Sequence, residues 1–149
     1  MSAEGRGGAG PSEELPADRM ARLREAFGQV PYAQLLGMEF VSAAPGSATF
    51  ALEVREELTR MGGIVHGGAV VSLLDTAAAF AVHTLLDPGG RTVTVELTVH
   101  FLRPARAGRL VAHAKALRRG RRVVILTVDA EDDAGALIAT ATTTYYNQD

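Results

Sequence analysis

Two periodicities of apolar and polar residues divide this chain. Residues 69–86 are apolar on nearly every side of a helix, which is the pattern of a helix buried in a core. Residues 91–102 instead alternate between apolar and polar positions, which predicts a β-strand with one buried face. The apolar positions of that strand are Val93, Val95, Leu97, Val99 and Phe101. The chain therefore combines a core helix with β-structure.

Shorter segments of the same two kinds complete the predicted fold. Helices are predicted at residues 18–27 and 31–36, the second ending at Gly37. Strands are predicted at residues 38–44, 48–54, 110–117, 123–130 and 136–146, with turns at Pro45-Gly46, at Gly120 and at residues 132–135. Residues 55–67 form a loop, and Asp87-Pro88-Gly89-Gly90 ends the long helix. We expect an α+β domain in which a curved antiparallel sheet wraps around one long central helix.

The length and composition of the chain favour a single folded domain. Residues 1–17 are rich in Gly, Ser, Glu and Pro and predict a disordered N-terminal tail, so the domain spans residues 18–149. A hydrophobic content of 47% with 21% charged residues over 149 residues suits one core. The long helix carries Asp75 and His83, which make it too polar to span a membrane, and the N-terminus has no apolar signal sequence. We expect a cytoplasmic protein without a membrane partner.

Charge, cysteine content and histidine spacing exclude several classes of function. A formal net charge of -2 leaves no basic excess for a nucleic-acid partner. The absence of cysteine excludes disulfides, thiolate catalysis and cysteine-based metal centres. The histidines lack metal-ligand spacing, and the G-x-S-x-G motif of a serine esterase is missing. We therefore expect neither a metal nor another cofactor.

His66-Gly67-Gly68 and Asp75 form the candidate site because of where they fall on the buried helix. The glycines let a ligand approach the N–H groups of the first helical turn, where the helix dipole favours negative charge. An ionised Asp75 in an apolar helix is costly unless something binds it. Together these groups can stabilise an oxyanion and move a proton. Gly67 and Asp75 lie roughly 12 Å apart along a helix, so both can reach one carbonyl group only if two chains share the site.

Three segments carry a resemblance to a known family. They are G-G-I-V-H-G-G-A-V-V-S-L-L-D-T-A at residues 62–77, T-V-E-L-T-V-H-F-L-R-P-A at residues 94–105, and the Gly120-Arg121 pair before a hydrophobic strand. From residue 31 to residue 146 the chain resembles the PaaI-like (phenylacetate-degradation type) hotdog-fold acyl-CoA thioesterases. The resemblance implies a hotdog fold, an acyl-CoA substrate, no metal, and active sites shared within a homodimer, with dimers paired into a homotetramer.

The same resemblance implies catalytic roles for four residues. The Gly67 N–H would donate to the thioester oxygen, and Asp75 would activate water or attack the carbonyl carbon directly. Thr94 stands where related enzymes often carry a hydroxyl group that positions water. His66 would lie beside the thioester and hold the loop, although a histidine that only caps the helix start explains this residue equally well.

Substrate-binding residues are expected among the glycines and arginines. Gly68 lets the substrate approach the helix closely. Arg119 and Arg121 belong to a basic run at residues 118–122, which is first of all a solvated hairpin. Its functional interpretation is a contact for coenzyme A phosphates, aided by Arg103 or Arg106.

Arg60 departs from the pattern of the family, many members of which have asparagine six residues before the histidine. A guanidinium group can donate hydrogen bonds to the same region or to a coenzyme A phosphate, but it cannot accept one as an amide can. This departure keeps open an alternative, a non-catalytic acyl-CoA binding protein of the same fold. A hotdog dehydratase is less favoured because its usual His and Asp/Glu motifs do not occur here.

Overall fold

One long helix and one antiparallel sheet make up most of the computed structural model, which describes residues 13–148. The predicted disordered tail therefore falls mostly outside the described residues. Helices α1 (Ala17–Gly28) and α2 (Pro31–Leu36) precede α3 (Gly67–His83). The strands found in this part of the chain are β1 (Met38–Ala44), β2 (Ser47–Glu53), β3 (Arg91–Phe101), β4 (Arg109–Arg119), β5 (Val123–Glu131) and β6 (Leu137–Gln148). Their order in the sheet is β1-β2-β4-β5-β6-β3, and the predicted strands lie within two residues of these bounds.

The core lies between α3 and the face of the sheet that wraps around it. The Phe80 ring of α3 packs against Phe40 and Phe50, with ring centroids 5.9 and 5.1 Å away. The residues of α3 without exposed surface include Leu73, Leu74, Ala77, Ala78 and Ala81. One apolar helix wrapped by a curved antiparallel sheet is the hotdog fold, as predicted. Within residues 13–148, no helix is both long enough and apolar enough to cross a bilayer.

Helix α3 begins two residues before the predicted start and ends three residues before the predicted end. Side chains satisfy carbonyl groups near this end of the helix and just beyond it. The Thr84 hydroxyl donates to the carbonyl oxygen of Ala81 at 2.6 Å, and the Arg19 guanidinium donates to the carbonyl oxygens of Thr84 (3.2 Å) and Leu86. The chain can therefore turn at Thr84 without leaving buried acceptors unpaired.

A β-bulge at Val95 divides strand β3 into two parts of opposite phase. The pairing of β3 with β6 slips by one residue directly after Thr94. Before the bulge Thr94 faces α3, and after the bulge Leu97 packs against the core. The prediction that Val93 and Val95 share a buried face with Leu97 is wrong, because these valines are 44% and 63% exposed. One inserted residue reverses the face of every side chain beyond it.

Candidate active site

The loop before α3 is held by backbone hydrogen bonds. Residues Glu56–Leu58 form a 3-10 turn, and Thr59 bridges to Val65. The N–H of Val65 donates to the carbonyl oxygen of Ala105 at 2.8 Å, and that of His66 donates to the carbonyl oxygen of Leu58 at 2.8 Å. These bonds fix the position at which the chain enters α3.

His66 caps the start of α3, as one of the two sequence interpretations proposed. Its Nδ1 atom accepts a hydrogen bond from the Gly68 N–H at 2.8 Å. The N–H groups of Ala69 and Val70 donate to the His66 carbonyl oxygen. Among residues 13–148, the Gly67 N–H alone of this first turn has no protein acceptor. It is therefore a donor left available at the positive end of the helix dipole.

Gly67 lines a cavity of about 350 Å³ at the N-terminal end of α3. The Phe101 ring lies beside Gly67, and a Cβ atom at Gly67 would come 3.2 Å from its Cζ atom. Arg60 and Arg103, both predicted to bind substrate, also line this cavity. The Arg60 guanidinium donates to the Met61 carbonyl oxygen at 3.0 Å. The structure thus brings together a backbone donor, two cations and an apolar wall.

Asp75 lies two turns further along α3 and lines a different cavity, of about 320 Å³. Its Oδ1 atom accepts hydrogen bonds from Thr94 Oγ1 at 3.0 Å and from the Tyr145 hydroxyl at 2.6 Å. The Tyr145 hydroxyl is also 2.9 Å from the Asp75 carbonyl oxygen. The Asp75 carboxylate, which would be costly to bury alone in an apolar helix, therefore has hydrogen-bond donors from two neighbouring strands. The apolar wall of this cavity consists of Ala26, Val30, Ala79 and Phe80.

Tyr145 is the site residue that the sequence analysis missed. It is 2% exposed, and a buried phenol normally finds a hydrogen-bond partner, which was the available signal. Burial, and then the hydrogen bond to Asp75, raise the pKa of Tyr145 far above its ordinary value, so the phenol stays protonated. His83 lines the same cavity, and burial lowers the pKa of His83, so its ring is neutral near pH 7.

Arg119 and Arg121 do not join the Gly67 cavity within one chain. The Arg119 guanidinium donates to the Pro45 carbonyl oxygen at 2.9 Å, and Arg121 lies in the loop that follows β4. The neighbouring Gly46 N–H donates to Thr84 Oγ1 at 2.7 Å, directly after the end of α3. These arginines therefore lie near the C-terminal end of the helix, whereas Gly67 is at its other end.

The glycine-rich helix start and Asp75 both fall inside residues 62–139, which match the sequence profile of the Thioesterase superfamily. The chain belongs to the thioesterase superfamily. Human acyl-coenzyme A thioesterase 13 is 32% identical over 111 residues, which are 72% of this chain and 79% of that protein. A Saccharolobus solfataricus protein is 33% identical over 131 residues, 88% of this chain and 87% of the relative.

Comparison of the structure with solved structures gives the same fold that the sequence relatives indicate. The E. coli PaaI protein of the phenylacetic acid degradation operon superposes with a TM-score of 0.82. The alignment covers 89% of this thioesterase and 96% of PaaI at 24% identity, a level that establishes the fold alone. Together with the sequence relatives, this identifies a PaaI-like hotdog thioesterase, which is a hydrolase of thioester bonds. Tyr145 lies beyond the matched residues 62–139.

Proposed function

We propose that this protein hydrolyses acyl-CoA thioesters to a carboxylic acid and coenzyme A, at sites that two copies of the chain share. One observation carries the proposal. The Gly67 N–H, which has no acceptor among residues 13–148, and the Asp75 carboxylate line different cavities beside the same helix. Along α3 they are separated by roughly 12 Å. An oxyanion donor and a water-activating group must both lie within about 3 Å of one carbonyl carbon. One helix cannot meet that requirement, but two antiparallel helices can.

The exposed edge of β3 supports such a dimer. Strand β3 is last in the sheet and pairs with β6, so within the described chain its other edge lacks a partner. Val93, Val95 and Phe101 on this strand are 44%, 63% and 57% exposed. A long edge with apolar side chains is a template for pairing with another chain. A second copy that adds antiparallel to this edge would continue the sheet and bring the two α3 helices together in opposite directions.

The same arrangement would give Arg119 and Arg121 a role that they lack within one chain. In a dimer that places Asp75 of one copy beside Gly67 of the other, the C-terminal end of the first α3 lies eight residues past Asp75, so it extends roughly 12 Å beyond the N-terminal end of the second. Arginines near the C-terminal end of one copy would then approach the cavity where Gly67, Arg60 and Arg103 of the other copy lie. Guanidinium groups suit the phosphates of coenzyme A.

The proposed reaction uses one group from each copy of α3, the Gly67 N–H of one copy and the Asp75 carboxylate of the other. The Gly67 N–H and the dipole of α3 hold the thioester oxygen and stabilise its negative charge as the tetrahedral intermediate forms. Asp75 of the other copy takes a proton from a water molecule while the water oxygen attacks the carbonyl carbon. The carbon–sulfur bond then breaks and the coenzyme A thiolate leaves. Alternatively, the carboxylate attacks the carbon, the carbon–sulfur bond breaks with loss of the coenzyme A thiolate, and water then opens the resulting mixed anhydride. The apolar wall beside Asp75 suits an acyl group.

A hydrolysis screen tests the proposed function. The full-length protein is incubated with aryl, short-chain and long-chain acyl-CoA, and thiol release is recorded. We expect turnover of at least one class, and a higher KM for the matched pantetheine thioester, because it lacks the phosphates that the arginines would bind. Binding of acyl-CoA without turnover across the screen would instead support a non-catalytic binding protein. Equal KM values for the coenzyme A thioester and the pantetheine thioester would show that the arginines do not contribute to substrate binding.

A further inference from the structure

Both hydrogen-bond donors beside Asp75 reach the same carboxylate oxygen. Thr94 Oγ1 and the Tyr145 hydroxyl donate to Oδ1, at 3.0 and 2.6 Å. No hydrogen bond from residues 13–148 reaches Oδ2. A carboxylate held at one oxygen has a fixed orientation, and its other oxygen keeps its lone pairs for water or a carbonyl carbon.

The sheet places these two donors side by side. Thr94 on β3 is directly opposite Tyr145 on β6, and the bulge at Val95 follows immediately. Side chains alternate between the two faces of a regular strand. Without the bulge, Thr94 and Leu97 would therefore point to opposite faces, and only one of them could face α3. The irregularity of β3 thus lets a hydroxyl group face α3 at one position and apolar groups face it further along.

We propose that Tyr145 is a positioning residue of this thioesterase, which with Thr94 holds Asp75 Oδ1 so that Oδ2 faces the thioester. This inference rests on the proposed role of Asp75 in hydrolysis. Tyr145 touches neither substrate nor water in this account and acts through the carboxylate alone. Its ring is buried in the core, so the hydroxyl group is held in place by packing as well as by its hydrogen bonds.

The surroundings keep the phenol a donor at any working pH. The titratable residues that line the cavity are Asp75 and His83 from α3 and Tyr145 from β6, while α1 and β3 contribute Ala26, Thr92 and Thr94 there. The pKa of Tyr145 is raised by burial first and by its hydrogen bond to Asp75 second. The neutral ring of His83 does not compete for the carboxylate charge near pH 7.

Tyr145→Phe removes one hydroxyl group and leaves the buried ring. We expect kcat for an acyl-CoA that the wild type hydrolyses to fall by roughly 10- to 100-fold, because small misplacement of a reacting group is costly. KM should change by less than about two-fold, since the substrate contacts are untouched.

Tyr146→Phe is the matched control. Tyr146 is the next residue, it is half-exposed, and its hydroxyl accepts from Arg122 at 2.8 Å. The kcat of this variant should match that of the wild type. Thr94→Val, on the sheet edge, removes the other donor and should lower kcat with little change in KM, as Tyr145→Phe does. Unchanged kcat in a folded Tyr145→Phe protein would overturn the inference. The proposed function would survive this failure of the Tyr145 inference, provided that the wild type hydrolyses acyl-CoA and Asp75→Asn does not.

Discussion

Replacement of Asp75 by asparagine is expected to lower kcat for thioester hydrolysis by at least about 10²-fold, the usual contribution of a general base. The amide is nearly isosteric, and its oxygen can still accept from Thr94 and Tyr145, as Asp75 Oδ1 does. It can neither take a proton from water nor attack the carbonyl carbon. KM should change little, because the change removes an interaction that matters in the transition state. Steady-state thiol release with the best acyl-CoA measures both constants.

Asp87→Asn is the control for this prediction. Asp87 is exposed, lies past the end of α3 and lines neither cavity of the proposed site. The substitution removes the same charge, so it reports any general effect of net charge on turnover. If Asp75→Asn is folded and keeps a rate close to that of Asp87→Asn, the carboxylate has been assigned wrongly.

Removal of the Gly67 N–H is expected to have a comparable effect, a fall in kcat of about 10²- to 10³-fold, the usual loss for one oxyanion donor. Gly67→Pro removes this donor, and proline is well tolerated at the first position of a helix. Gly67→Ala is the matched control, because it keeps the N–H while its Cβ would meet the same Phe101 ring at 3.2 Å. Alanine should therefore retain far more activity than proline. Equal losses would assign the effect to crowding against Phe101 rather than to the missing donor.

The sequence predicted the architecture well because the two periodicities are local signals. A helix that is apolar on nearly every side can only be buried, and the turn residues separate the strands clearly. The bulge at Val95 was missed because nothing in an alternating run marks an extra residue. Its position depends on how β3 pairs with β6 across the sheet. The phase of a strand is thus a property of two segments far apart in the chain.

The candidate site was predicted in part for the same reason. Gly67 and Asp75 were proposed from their places on one helix, and their separation along it led to the proposal of a site shared by two chains. Tyr145 was missed because the sequence presents two adjacent tyrosines, and the choice of the one that faces α3 follows from sheet pairing. The basic run that contains Arg121 is visible in the sequence. Its charge alone does not predict at which end of α3 this hairpin lies.

Mixing two inactive variants tests the shared site most directly. The Asp75→Asn and Gly67→Pro proteins are combined under conditions that let subunits exchange, with exchange followed by labels on the two variants. A mixed dimer has one site with both Gly67 and Asp75 intact and one site with neither. With equal amounts and random exchange, half of the dimers are mixed, so activity should return to roughly a quarter of the wild-type value per chain. Folded variants that demonstrably exchange subunits and stay inactive would contradict the account.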